Sequence, residues 1–165
     1  MMEVISMDND NAGNAIQRTL RNTIHREIGC FTDEVNKADR SYFSTNVESK
    51  RFDNFFNSIE AVPFNGNSLD ITEKDLLIVF DSSIREDSEL YNTVKSFKTA
   101  GGHVAAILVN RNINYMPFVD EVLGININQS DIEAYEVNNI FRGTVKILLD
   151  EVDKKVFHFD TKKSN

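Results

Sequence analysis

Hydrophobic side chains recur along the chain at spacings that predict helices and strands in regular succession. Between residues 12 and 35 the spacing is three and four, which places the apolar side chains on one face of a helix of about six turns. The members of this stripe are Ile16, Leu20, Ile24, Ile28, Phe31 and Val35. The preceding residues, 1–11, are polar, and we expect a loose segment there.

Two uninterrupted apolar runs predict the centre of a sheet. Residues 76–80 and 104–109 contain no polar side chain, so both faces of each strand are expected to be covered, as in a parallel sheet. Pro63 has no N–H to donate to a neighbouring strand, which indicates that its strand lies at a sheet edge. The shorter predicted strands are 41–44, 61–64 and 122–127.

Further helices are predicted between and after these strands. One buries Phe52, Phe55 or Phe56, and Ile59; another opens at Asp87 or Ser88 and stops at Gly101-Gly102; the last carries Phe141, Val145, Leu148 and Val152. This alternation specifies an α/β fold, a three-layer α/β/α sandwich whose five-stranded, mostly parallel sheet has the flavodoxin-like order 2-1-3-4-5. We expect one domain over 12–155 and a tail over 156–165.

Composition narrows the class of protein. A chain of 165 residues with 41% hydrophobic residues can bury one core. The 18 basic and 26 acidic residues give a net charge of −8, which argues against nucleic-acid binding. No apolar run is long enough to span a membrane, and the N-terminus lacks a secretory pattern, so we expect a cytoplasmic protein. A single cysteine, Cys30, excludes internal disulfides and cysteine-based zinc sites.

A binding site is expected at the carboxyl ends of the first and third strands, where connections in this strand order diverge to opposite faces. The two loops there, 44–46 and 81–85, are rich in hydroxyl groups, and each leads into a helix. Amides at a helix N-terminus bind anions, and hydroxyls add donors. The same residue types also serve as ordinary helix caps, so a site without a ligand is the alternative interpretation.

The segments 75–83, 89–90, 100–102 and 104–107 resemble the core of the sugar isomerase (SIS) domain. In that family a strand ends in a serine-rich turn and is followed by a helix, a small-residue turn and an apolar strand. The element order over 12–64 matches as well, so the resemblance covers about residues 12–128. The chain is similar to a group of small bacterial SIS-like proteins of unknown function that carry the label of phosphosugar isomerase.

The resemblance implies a phosphosugar-binding fold that is frequently homodimeric, with the phosphate held by the serine turn and by the loop after the first strand. The positions this implies for phosphosugar binding are Ser44, Thr45, Ser82 and Ser83. Ile84 stands where the family has glycine, and no glycine-rich turn follows the first strand. Arg85 is a further candidate for binding the anion, with a solvated surface arginine as the alternative.

Isomerisation of a sugar phosphate also needs a positioned general base. Glu48 and Glu89 are the candidates near the expected site, although carboxylates are common at helix starts for electrostatic reasons alone. The chain is therefore either a binding protein or a phosphosugar isomerase. The three histidines, His25, His103 and His158, are isolated from one another, and we expect neither a metal nor a cofactor.

Three other functions are alternatives to phosphosugar binding. A phosphoacceptor receiver domain would use Asp81, but it needs an acidic pair after the first strand, and that place is taken by 44–46. A flavin mononucleotide site would need a longer glycine-rich loop there. The third function is a non-catalytic structural or regulatory module that forms a homodimer, with the stripe from Ile16 to Ile28 as its seam. That stripe could equally cover the sheet.

Overall fold

The five strands form one parallel sheet in the order β2-β1-β3-β4-β5, as the sequence predicts. The strands are β1 Arg40–Thr45, β2 Val62–Pro63, β3 Asp75–Asp81, β4 His103–Val109 and β5 Glu121–Ile125. The helices are α1 14–21, α2 His25–Lys37, α3 Asp53–Ser58, α4 Glu89–Thr99 and α5 Ala134–Lys155, with a 3₁₀ turn at Lys50–Phe52. This computed structural model describes residues 14–23, 25–46, 50–64, 66, 70–82, 89–110, 117–127 and 134–156.

The central strands β3 and β4 are covered on both faces. All seven residues of β3 are buried, and so are all residues of β4 except His103. Because side chains alternate along a strand, Leu76 and Ile78 pack on one side with α2, α3 and α5, while Leu77 packs on the other side with α4. Val79 also belongs to the α4 side. The predicted three-layer sandwich is therefore confirmed.

The predicted long first helix is two helices, α1 and α2. The chain turns at Asn22 and Thr23, where Thr23 N donates to Leu20 O at 3.1 Å, one residue short of the α-helical spacing. The Thr19 and Thr23 hydroxyls bond back to carbonyls four residues earlier, a contact that bends helices. The apolar spacing alone could not show this break, because the spacing of three and four continues from α1 into α2 without interruption.

A cluster of phenylalanines attaches α3 to the sheet. Phe56 stacks on Phe43 of β1, with ring centroids 3.9 Å apart, and lies 5.5 Å from Phe80 at the end of β3. Phe52 meets Phe80 edge to face at 5.2 Å. The chain that leaves β1 therefore returns over the carboxyl end of β3, and the predicted burial of these side chains is confirmed.

The two outer strands end the sheet in different ways. Strand β2 has only two residues and includes Pro63, which confirms that it is an edge strand. At the other edge, Glu27 of α2 accepts a hydrogen bond from Gly124 N of β5 at 2.9 Å. Beyond the last β4–β5 pair, the Asn110 amide bonds both Ile127 N and Ile127 O, so a side chain continues the ladder.

The amino ends of β1 and β3 are joined by an ion pair. Arg40 donates from Nε and Nη2 to the two carboxylate oxygens of Asp75, at 2.9 and 2.6 Å. Burial raises the pKa of the Asp75 carboxyl, but the hydrogen bonds from Arg40 and Thr72 outweigh burial and bring the pKa below its usual value. The carboxylate is therefore ionised at neutral pH.

The predicted limits of the domain can be compared with the structure at one end. Val156 is buried in the core, so the core includes the first residue of the predicted tail. The predicted loose segment 1–11 and the rest of the tail, 157–165, lie outside the described residues. Within the described part of the chain, no helix has the length and apolar character needed to cross a membrane.

Gly102→Ala is expected to destabilise the protein by about 3 kcal/mol, because the new Cβ would lie 2.2 Å from Cε1 of the buried Phe97 ring. Gly29→Ala in α2 is the control, since no atom lies within 4 Å of its Cβ position. It should stabilise by about 0.5–1 kcal/mol through helix propensity. Urea unfolding of both variants checks this, and equal stabilities would contradict it.

Asp75→Asn is expected to destabilise the protein at neutral pH and to lose that disadvantage in acid. A carboxyl with a lowered folded-state pKa stabilises above its unfolded pKa of about 4, and this contribution disappears as the pH falls through the folded-state value. Unfolding free energies of both proteins, measured from pH 7 downwards, should therefore converge. A difference in unfolding free energy that stays constant with pH would refute the lowered pKa of Asp75. Glu73→Gln, at an exposed position nearby, is the control.

Candidate functional site

The carboxyl ends of β1 and β3 meet at the point where their connections leave to opposite faces of the sheet. The two strands pair up to Thr45 and Phe80, and Asn46 N then donates to Phe80 O at 3.2 Å. The chain after β1 leads to α3 on one face, and the chain after β3 leads to α4 on the other. Such a divergence opens a crevice, which is the usual ligand position in this class of sheet.

Asn46 links the two strand ends through its side chain. Its Oδ1 accepts a hydrogen bond from Ser82 N at 3.1 Å, and its Nδ2 donates to the carboxylate of Asp81. The Asp81 side chain is fully buried. Because both ends of the Asn46 amide are used, its orientation is fixed, and it holds the first turn after β3 against the first turn after β1.

Ser82 connects this pair of strands to α5. Its Oγ donates to Oδ1 of Asn138 at 2.7 Å, which places the first turns of α5 beside the end of β3. Ser82 thus uses both its N–H and its hydroxyl hydrogen within the protein. The amide of Asn138 uses only its oxygen in this contact. Its Nδ2 has no hydrogen-bond acceptor among the described residues.

The other predicted site residues divide into described and undescribed positions. Ser44 and Thr45 are partly buried at the end of β1, with Ser44 paired to Val79 and Thr45 to Phe80. Glu89 is exposed and is the first residue of α4. Glu48, Ser83, Ile84 and Arg85 lie outside the described residues. The structure therefore brings together Ser82 and the end of β1, and the binding role of every candidate stays a prediction.

The contribution of Asn46, Asp81 and Asn138 was missed by the sequence analysis. The sequence places Asn46 and Asp81 in the two loops of the expected site but predicts no bond between them, and the one specific role it offers is Asp81 as the aspartate of a receiver domain. Asn138 was not considered, because its partner Ser82 is 56 residues away in sequence. The one available signal was topological, since polar residues that directly follow adjacent strands must lie at the same edge of the sheet.

This arrangement offers directional hydrogen bonds from amide and hydroxyl groups. In the described part of the chain, no three His, Cys, Asp or Glu side chains lie close enough to share a metal ion. Asparagine and serine side chains pair with hydroxyl groups that both donate and accept, which is the chemistry of a polyol. The geometry thus suits recognition of a polar, uncharged group beside the β1–β3 junction.

Comparison with solved structures identifies the fold. NanR from Vibrio vulnificus, complexed with ManNAc-6P, superposes with a TM-score of 0.70 at 12% identity; the match covers 93% of this chain and 62% of NanR. The sugar isomerase domain of the RpiR transcription factor from Sphaerobacter thermophilus gives 0.59 at 14% identity, covering 88% of this chain and 95% of that one. Phosphoheptose isomerase from Francisella tularensis gives a TM-score of 0.63 at 16% identity, and the match covers 93% of this chain and 98% of the isomerase.

These likenesses confirm the SIS-like fold that the sequence predicted. No protein-family model and no curated protein matches the sequence. At these identities the shared property is the architecture: the parallel sheet, its strand order and the helices that cover it. What the chain binds has to be argued from its own residues.

Asn46→Ala is expected to destabilise the protein by about 1–3 kcal/mol, because it leaves Ser82 N and the buried Asp81 carboxylate without this partner. Asn57→Ala on α3, where the side chain is exposed, should stay within about 0.5 kcal/mol of the native protein. Guanidinium unfolding measures both. A loss no larger for Asn46→Ala than for Asn57→Ala would show that Asn46 does not hold the junction.

Proposed function

We propose that this protein binds a phosphorylated sugar, or a similar carbohydrate derivative, in the crevice between the ends of β1 and β3. The observation that carries the proposal is the hydrogen-bonded cluster of Asn46, Asp81, Ser82 and Asn138, which ties two strand ends and α5 together at that point. The site belongs to the single domain predicted over residues 12–155.

The sugar part of the ligand is supported by the donors and acceptors at the junction. Nδ2 of Asn138 has two N–H groups available on the α5 side of the junction, and Ser44, paired with Val79, offers a partly buried hydroxyl on the α4 side. Neither group carries a charge, so together they favour hydroxyl groups over ions. Asn138 lies on helix α5 and Ser44 on strand β1, so the backbone positions of both residues are fixed before a ligand binds.

The phosphate part of the ligand is supported by the neighbours in structure. One of them is a complex with ManNAc-6P and another is a phosphoheptose isomerase. Ser83 and Arg85, which follow the junction directly in sequence, are the residues that the family resemblance and the chemistry of guanidinium assign to the anion. Their place in the site is part of the proposal.

Binding does not require turnover, and we propose binding as the primary function. Glu89 is the described candidate for a general base, and no described side chain forms a hydrogen bond with its carboxylate to orient it. Glu48 is the second candidate. If turnover occurs, the reaction is a phosphosugar isomerisation, and Glu48→Gln or Glu89→Gln should abolish it without abolishing ligand binding.

Thermal unfolding with a panel of sugar phosphates tests the proposal. A ligand at ~100 times its Kd should stabilise the protein by about 2.7 kcal/mol. Asn138→Ala should weaken the best ligand by about tenfold, since it removes the free amide donors and the acceptor of Ser82. Asn92→Ala, at an exposed position on α4, should leave the affinity unchanged.

A panel without any stabilising sugar phosphate would refute the proposed function. It would then favour the alternative, a non-catalytic structural or regulatory module that acts as a homodimer. In α1, Ala15, Ile16 and Leu20 are only partly buried against the core, which leaves part of the stripe for such a seam. Light scattering tests the dimer separately from ligand binding: a monomeric mass at every concentration removes the seam.

A further inference from the structure

Arg142 of α5 has hydrogen-bonding capacity that the protein does not use. Its Nη2 donates to Oδ1 of Asn139 at 2.7 Å, whereas its Nε is buried and has no partner among the described residues. A guanidinium carries five N–H donors, and a buried donor without a partner is costly. The side chain is partly buried, so it is not a freely solvated surface arginine.

Ion pairing within α5 does not involve Arg142. The described pairs on this helix join Lys146 to Asp150 and Lys155 to Glu151. Asn139, the described partner of Arg142, is a neutral amide. The positive charge is therefore held in place by the protein without being neutralised by a described carboxylate.

Arg142 lies one turn along α5 from Asn138, the residue that contacts Ser82. Residues 138 and 142 are four positions apart, which separates them by about 40° around the helix and by one turn along it. Side chains on a helix lean toward its N-terminus, and the bond from Arg142 to Asn139 shows that this one reaches back by a turn. Asn138, at that turn, accepts the hydrogen bond from Ser82.

We propose that Arg142 binds the anionic group of the ligand, while Asn138 faces its hydroxyl groups. This inference rests on the proposed function and adds the residue that recognises the phosphate. A guanidinium can bind two oxygens of a phosphate monoester or a carboxylate at once, and the two terminal nitrogens of Arg142, Nη1 and Nη2, offer that geometry, whereas the buried Nε does not reach the ligand. Ser82 cannot supply an equivalent donor, because its N–H and hydroxyl hydrogen are already engaged.

Isothermal titration of Arg142→Gln tests this inference. The probes are glucose 6-phosphate, fructose 6-phosphate and ribose 5-phosphate, each beside its parent sugar, and inorganic phosphate. Arg142→Gln should lose about 10- to 100-fold in affinity for the phosphorylated probe that the native protein binds, with the parent sugar changed by less than about threefold. Lys146→Gln makes the same change of charge one turn along α5 and should bind normally.

The outcomes separate this inference from the proposed function. If the native protein binds none of the probes, the proposed function and the role of Arg142 fall together. If it binds a phosphorylated probe and Arg142→Gln keeps the same preference for phosphate over parent sugar, only the role of Arg142 is refuted. If Arg85→Gln loses that preference while Arg142→Gln keeps it, Arg85 holds the anion and the role of Arg142 is refuted.

Arg142→Lys keeps the test valid if Arg142→Gln does not fold. Lysine retains the charge but offers a single ammonium in place of a planar fork. We expect a phosphate affinity reduced by about 3- to 10-fold and an unchanged affinity for the parent sugar. An unchanged phosphate affinity in Arg142→Lys, together with an unchanged thermal stability, would show that the fork of Arg142 does not contact the anion.

Discussion

Burial of β3 and β4 on both faces is the constraint from which the rest of the structure follows. Two adjacent strands with no solvent-facing side need helices above and below, and α4 on one face and α2, α3 and α5 on the other meet that need. Polar side chains can then appear only where the strands stop. The buried apolar run of β3 ends in Asp81 and Ser82, so the first polar groups after it stand at the edge that β1 shares. The position of the site is thus a consequence of how the core is built.

Most of the architecture could be predicted because it depends on local patterns. The runs at 76–80 and 104–109 identified the interior strands, Pro63 identified an edge, and the alternation of elements led to the strand order that the structure has. The single long helix was the error. Its apolar spacing passes through the turn at Asn22 and Thr23, where Thr23 N bonds to Leu20 O instead of to the carbonyl four residues earlier.

The site could be located from the sequence but not assembled from it. Topology placed Ser44, Thr45 and Ser82 at one edge, and the structure agrees for these described residues. The partners that define the chemistry come from elsewhere in the chain: Asn138 is 56 residues from Ser82. On a helical wheel Asn138 and Arg142 look like ordinary polar residues beside a buried face. What distinguishes them is a hydrogen bond across the fold and a buried nitrogen without a partner, and no spacing rule encodes either.

The carboxylate of Glu27 on Gly124 N has a consequence for how this molecule can assemble. An open β edge invites a strand from another chain, and proteins discourage this with charges, proline or short strands. Here the outer side of β5 holds an acidic side chain, and the opposite edge is a dipeptide that ends in Pro63. Another copy cannot lengthen the sheet without displacing these features. Lengthening of the sheet by another copy is therefore disfavoured at both described edges.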